Sequence, residues 1–124
     1  MSVNGCYHGG MSTSALPVIE ATASCEPLTR DPLSPSQADD LARALKAIAD
    51  PARLRLISMI AASADHEACV GDLTDMLDVG QPTVSHHLKV LTAGGFIARS
   101  KRGTSAFYTL VPGALDSLSR LLVT

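Results

Sequence analysis

The stretch that decides the fold is Gln81-Pro82-Thr83-Val84-Ser85-His86-His87-Leu88-Lys89-Val90-Leu91, with Asp78-Val79-Gly80 before it and Gly94-Gly95 after it. Val84, Leu88 and Leu91 recur at i, i+4 and i+7, the apolar stripe of one helix. Pro82 suits a first helical turn, where a missing N–H costs nothing. Gly94-Gly95 ends the helix, with glycine supplying the left-handed cap. The opposite face offers Gln81, Thr83, Ser85, His86 and Lys89, all polar and none acidic. Asp78-Val79-Gly80 is a tight turn joining this helix to a shorter one near Val70–Leu77, whose Leu73, Met76 and Leu77 are read as facing inward.

Moving toward the C-terminus, Phe96–Ser100 and Ala106–Leu110 alternate like strands around Lys101-Arg102-Gly103-Thr104, a hairpin signal. Pro112 then restarts a helix with Leu115, Leu118, Leu121 and Leu122 as its apolar residues. Toward the N-terminus, Ala62 to Glu67 reads as a short loop. Asp50-Pro51 caps and starts a helix with apolar Leu54, Ile57, Met59, Ile60 and Ala61, and with Arg53 and Arg55 on its polar side. Ser34-Pro35-Ser36-Gln37 has the form of a capping box opening another helix, with Leu41, Ala42, Leu45, Ile48 and Ala49 on one face. Residues 1–33, rich in Gly, Ser, Thr and Pro without a persistent period, read as a flexible arm carrying Cys6 and Cys25, and residues 34–124 as the folded domain.

The order is α-α-α-α-β-β-α, mainly helical with a β-hairpin. Two short helices joined by a tight turn and followed by a basic hairpin describe a winged helix-turn-helix. In such a pair the second helix enters the major groove of duplex DNA, so its outer face must be polar and free of negative charge. Gln81, Thr83, Ser85, His86 and Lys89 meet that condition. Gln pairs bidentately with adenine, and Ser or Thr reaches a base or a phosphate. Arg99, Lys101 and Arg102 put charge on the hairpin, where a wing reaches the backbone or minor groove.

The composition fits this reading once it is divided along the chain. The 124 residues carry a net charge of −2, which on its own argues against a polyanion partner. Residues 1–80 hold five basic against eleven acidic groups, a sum of −6. Residues 81–110 hold Lys89, Arg99, Lys101 and Arg102 with no acid, a sum of +4, and Arg120 balances Asp116. The positive segment coincides with the reading helix and the wing. With two Tyr, two Phe and no Trp, the chain lacks stacking platforms for single strands. No apolar run approaches the ~20 residues of a membrane span, and no basic, apolar leader opens the chain, so a cytoplasmic protein with reduced thiols is expected. Three cysteines do not form a disulfide scaffold. No nucleophile turn with an orienting third group accompanies Cys69 and His86 or His87, so an enzyme is not expected.

Asp50-Pro51-Ala52-Arg53-Leu54-Arg55-Leu56-Ile57, the Gln81–Leu91 segment and Gly94-Gly95-Phe96-Ile97 together resemble the ArsR/SmtB family of metal- and metalloid-responsive repressors, over residues 36–124. The resemblance implies a homodimeric repressor that leaves operator DNA when an inducer binds, with the first and last helices at the dimer interface. It also implies that His87 is a scaffold position near the DNA backbone and that His86 lies nearer the readout face. Adjacent histidines point about 100° apart on a helix and make a poor shared metal site.

The inducer can be read against the family's sensor sites. The last helix has Asp116 but no His or Glu, so the zinc-type site there is missing. Arsenic and cadmium sensors carry Cys-Val-Cys-Asp-Leu-Cys before the turn, whereas this chain reads Cys69-Val70-Gly71-Asp72-Leu73-Thr74. One thiolate cannot hold a soft ion firmly, because trivalent arsenic takes up to three sulfurs. Some relatives complete the site from the arm, so Cys25 and Cys69 are expected as the core pair, with Cys6 as a third ligand or an uninvolved thiol. The expected inducer is arsenic(III), as arsenite or a methylated arsenical, or antimonite. Two alternatives share the fold: a redox switch closing a Cys25–Cys69 disulfide, and a zinc or cadmium sensor using cysteine with His66. A constitutive DNA-binding protein without inducer is a third.

Overall fold

The structure, a computed structural model, describes Pro27 and residues 30–123. Cys6, Cys25 and nearly all of the arm lie outside the described residues. Among those described, five α-helices and a three-stranded antiparallel sheet follow in the order α1 (Pro35–Ile48), α2 (Pro51–Ala62), β1 (Glu67–Cys69), α3 (Val70–Leu77), α4 (Gln81–Ala93), β2 (Ile97–Arg102), β3 (Ser105–Leu110) and α5 (Ala114–Leu121).

The helix starts follow from local chemistry. The Ser34 N–H donates to Gln37 Oε1 at 2.9 Å and the Gln37 N–H to Ser34 Oγ at 3.2 Å, the reciprocal capping box expected for α1. Asp50 Oδ2 accepts from the N–H groups of Ala52 (2.9 Å) and Arg53 (3.1 Å) and so caps α2. Those bonds, the one from Arg53 foremost, hold the Asp50 carboxyl below its ordinary value. Pro35, Pro51 and Pro82 all sit in first turns.

Leu56, Ile60, Leu73, Val84, Leu88, Leu91, Phe96 and Ile97 are the large side chains fully shielded from solvent, and they join α2, α3, α4 and β2 in one core. The Val84–Leu88–Leu91 stripe faces this core as read. Three other expectations need correction. Leu54 is 52% exposed, and Leu56 takes the central place on α2 instead. Met76 is 50% exposed: on a helix of eight residues, the Leu73–Leu77 pair already occupies the inner line, and Met76 lines an open cleft of about 420 Å³ beside Ala68 and Asp72. Ala42 on α1 and Ala49 just past its end are exposed, while Leu41, Ala44 and Ala47 are buried.

The end of α4 also differs in detail. Gly94 has an ordinary right-handed conformation, and Gly95, at φ 88°, is the left-handed residue. Gly94 serves close packing instead, because a Cβ there would stand 3.1 Å from Ala47 Cβ and 3.2 Å from the Phe96 ring.

The largest departure is in the sheet. The segment read as a loop from Ala62 to Glu67 contains a single 3₁₀ turn, Ala64–His66, in which Asp65 and His66 both have left-handed φ. That reversal delivers Glu67–Cys69 to the edge of β3 as strand β1. The strand order is β1-β3-β2, with Glu67 opposite Thr109, Ala68 opposite Tyr108 and Cys69 opposite Phe107. The hairpin between β2 and β3 is tighter than its sequence suggests. Arg102 pairs with Ser105, so Lys101 and Arg102 belong to β2 and only Gly103-Thr104 form the loop. Gly103, at φ +63°, fills the first loop position that a two-residue turn reserves for glycine.

Candidate DNA-binding face and thiol site

α3 and α4 are the two helices of the helix-turn-helix. α3 ends at Asp78 in the left-handed conformation, with its N–H donating to Thr74 O at 3.1 Å. Gly80 then leads into α4 without a side-chain cap and with no acid in the first turn. The positive end of the helix dipole is thereby left available to an anion. Gln81, Thr83, Ser85, His86 and Lys89 are all exposed on α4. The structure thus leaves the five expected groove-reading residues open to solvent on a helix whose Val84, Leu88 and Leu91 are held in the core.

His87 behaves differently from its neighbour. Its side chain is 14% exposed, its Nε2 lies 3.9 Å from Asp50 Oδ2, and its Nδ1 lies 3.1 Å from Arg53 Nη1. Arg53 also donates from Nε to Ala47 O at 2.7 Å and from Nη2 to Lys46 O at 3.3 Å. A guanidinium only donates, so in this contact Arg53 Nη1 is the donor and His87 Nδ1 the acceptor. One arginine therefore ties the end of α1 and the start of α2 to the middle of α4. The sequence placed Arg53 on a polar face and gave no sign of this clamp, since its acceptors are two main-chain carbonyls and a histidine 34 residues away. The His86 and His87 rings are tilted by 53° with centroids 5.7 Å apart, as expected of neighbours that do not share a face.

The wing cations divide. Alternation along β2 puts Arg99 and Lys101 on one face of the hairpin, both exposed, and neither forms an ion pair among the described residues. Arg102 lies on the other face. Its guanidinium stacks 4.5 Å over the Phe107 ring and forms an ion pair with Glu67. Of the three wing residues, two point together and the third is engaged within the fold.

Cys69 ends β1 and is the N-cap residue of α3, half-buried, with a free thiol. Gly71, which stands where the arsenic motif has its second cysteine, leaves space beside it: a Cβ on Gly71 would lie 4.0 Å from Cys69 Sγ. Thr74, in the place of the third, turns its Oγ1 back to Val70 O at 2.7 Å. His66 is exposed in its left-handed turn. No group of three His, Cys, Asp or Glu side chains suited to hold a metal is present among the described residues, and the ligands expected from Cys25 and Cys6 lie outside them. No helix among the described residues is long and apolar enough to cross a membrane.

Comparison with known proteins bears on this geometry. Residues 50–99, from the cap of α2 into the first wing strand, match the family described as bacterial regulatory protein, arsR family. A transcriptional regulator of the helix-turn-helix type from Methanocaldococcus jannaschii, itself uncharacterized, is 35% identical over 81 residues, covering 65% of this chain and 89% of its own. An arsenical resistance operon repressor from Staphylococcus xylosus is 31% identical over 83 residues, covering 67% of this chain and 77% of its own. Among solved structures, an antimony-specific transcriptional repressor superposes with a TM-score of 0.61 at 26% identity, over 73% of this chain and 80% of the other. The matched segment contains the capped α2, the helix-turn-helix and the start of the wing, and the chain belongs to the arsR family of bacterial regulatory proteins.

Proposed function

We propose that the chain is a cytoplasmic, dimeric repressor that leaves operator DNA when a thiophilic ion, trivalent arsenic or antimony, binds Cys69 together with Cys25 of the arm, residues 1–33. Cys6 is the candidate third ligand. The observation that carries this reading is the place of Cys69: a free, half-buried thiol where β1 passes into α3, with the open side toward Gly71. α3 packs on α4, so a change at its N-cap residue is transmitted to the reading helix through direct contact. The names of two relatives, an arsenical resistance operon repressor and an antimony-specific repressor, support the choice of ion.

DNA contact is assigned to Gln81, Thr83, Ser85, His86 and Lys89 on α4 and to Arg99, Lys101 and Arg102 on the wing. Counterion release from phosphates supplies much of the affinity. The dimer is assigned to α1 and α5, where Leu115 and Leu122 remain 37% and 45% exposed in the single chain. In the binding step each thiol gives its proton to a hydroxide ligand of arsenite, which leaves as water as the As–S bond forms. The ion must bind the DNA-free form more tightly, and DNA then weakens ion binding by the same factor. A fluorescence titration of duplex DNA selected from a random library, with and without arsenite, tests this. Weaker binding with arsenite, abolished by Cys25→Ser or Cys69→Ser, is the expected result.

A further inference from the structure

Strand β1 carries two groups of very different chemistry on one face. Residues directly opposite in an antiparallel ladder share a face, so Cys69, Phe107 and Ser100 form one row across the sheet, and Glu67, Thr109 and Ala98 form the next. Arg102, near the hairpin end, belongs to the same face. Its guanidinium crosses this face, stacks on Phe107 at 4.5 Å and meets the Glu67 carboxylate. Glu67 is well shielded, with a side chain 18% exposed, while that of Arg102 is 42% exposed. Arg99 and Lys101, on the opposite face, have no such partner among the described residues.

We infer that Glu67 is an internal competitor for operator phosphate: it holds the wing cation Arg102 across Phe107 in the free protein, and DNA binding requires Arg102 to be released. This rests on the assignment of the wing to DNA made above. Three features support it. The carboxylate mimics the anion that a wing arginine meets on the DNA backbone. The aromatic ring under the guanidinium keeps the engaged position favourable without closing it off from solvent. Glu67 also lies two residues from Cys69 on the same short strand, so the strand that carries the candidate sensor thiol also sets the availability of one DNA contact. Glu67 is thus a positioning residue for Arg102 and touches no DNA itself.

The test is a double-mutant cycle on the full chain, with affinity for a library-selected duplex measured over a range of salt. Glu67→Gln is expected to tighten binding by about two- to fivefold, the range for releasing a partly exposed ion pair. In the Arg102→Gln background the same change is expected to do nothing. Arg102→Gln alone lowers the slope of log affinity against log salt by about 0.9, the loss of one phosphate contact, and Arg102→Lys restores it. Asp72→Asn, a carboxylate lining the same cleft as Glu67 but not paired with Arg102, controls for general charge removal. Equal tightening by Glu67→Gln with and without Arg102, or no tightening at all, overturns the inference while leaving the repressor reading intact. Failure of the wild-type chain to select any duplex overturns both.

Discussion

Arg53 Nη1 lies 3.1 Å from His87 Nδ1, and this contact joins the α1–α2 corner to the reading helix. The same side chain donates to Ala47 O and Lys46 O, so it closes the end of α1, whose last carbonyls lack helical partners. Arg53→Ala is expected to lower stability by about 1–3 kcal/mol, since hydrogen bonds from a charged donor are lost and their acceptors remain half-buried. Arg53→Lys is expected to recover little, because one ammonium cannot reach three acceptors arranged for a guanidinium fork. Urea unfolding of the three proteins measures the difference.

Asp50 gives a pH dependence of defined sign. Its carboxyl is held below 3.8 by the Arg53 and Ala52 N–H bonds and by the nearby charge of Arg53. The stability it contributes is fully present above 3.8 and is lost as pH falls through the lower folded value. Asp50→Asn keeps a capping oxygen but cannot titrate. Its unfolding midpoint is expected to fall less steeply than that of the wild type as pH drops below 3.8, with the two curves running parallel near neutrality.

Gly71 offers a gain-of-function test at the thiol. Cys69 Sγ would be 4.0 Å from a Cβ at this position, close but without a clash. Gly71→Cys is therefore expected to add a second thiolate beside the first and raise affinity for cadmium or arsenite at least tenfold, about 1.4 kcal/mol. Sulfur-to-metal charge-transfer absorbance during titration reads this out.

The two parts of the DNA face should respond differently. Lys101→Gln is expected to weaken binding to all duplexes alike and reduce the salt slope by about 0.9, the signature of a phosphate contact. Gln81→Ala is expected to cost about 1–3 kcal/mol on the preferred duplex and to relax preference at one base pair. Affinities for a panel of single-base variants separate the two.

Much of this fold is legible where the signal is local. Ser34-Pro35, Asp50-Pro51 and Gln81-Pro82 mark helix starts because caps and prolines act within a few residues. Val84, Leu88 and Leu91 mark a buried line because their spacing matches the helix repeat. β1 is hidden because three residues cannot display alternation, and its partner strand begins 36 residues after it ends. Leu54 and Met76 are misread for a related reason: a short apolar helix offers several candidate inner faces, and only its neighbours select one. The exposed residues of α4 can be read directly, being those outside its buried stripe. The engagement of Arg102 with Glu67 and of Arg53 with His87 depends on side chains 35 and 34 residues apart, which no local pattern records.

The central claim is that a thiophilic ion at Cys69 and Cys25 releases the protein from DNA. It is tested most directly by fluorescence anisotropy of a selected duplex titrated with reduced protein, with and without arsenite, using the wild type and the Cys69→Ser and Cys25→Ser variants. The account predicts weaker binding by the arsenite-loaded wild type and unchanged binding by both variants. Equal affinity of the wild type with and without arsenite, or undiminished release in the Cys69→Ser protein, would contradict it.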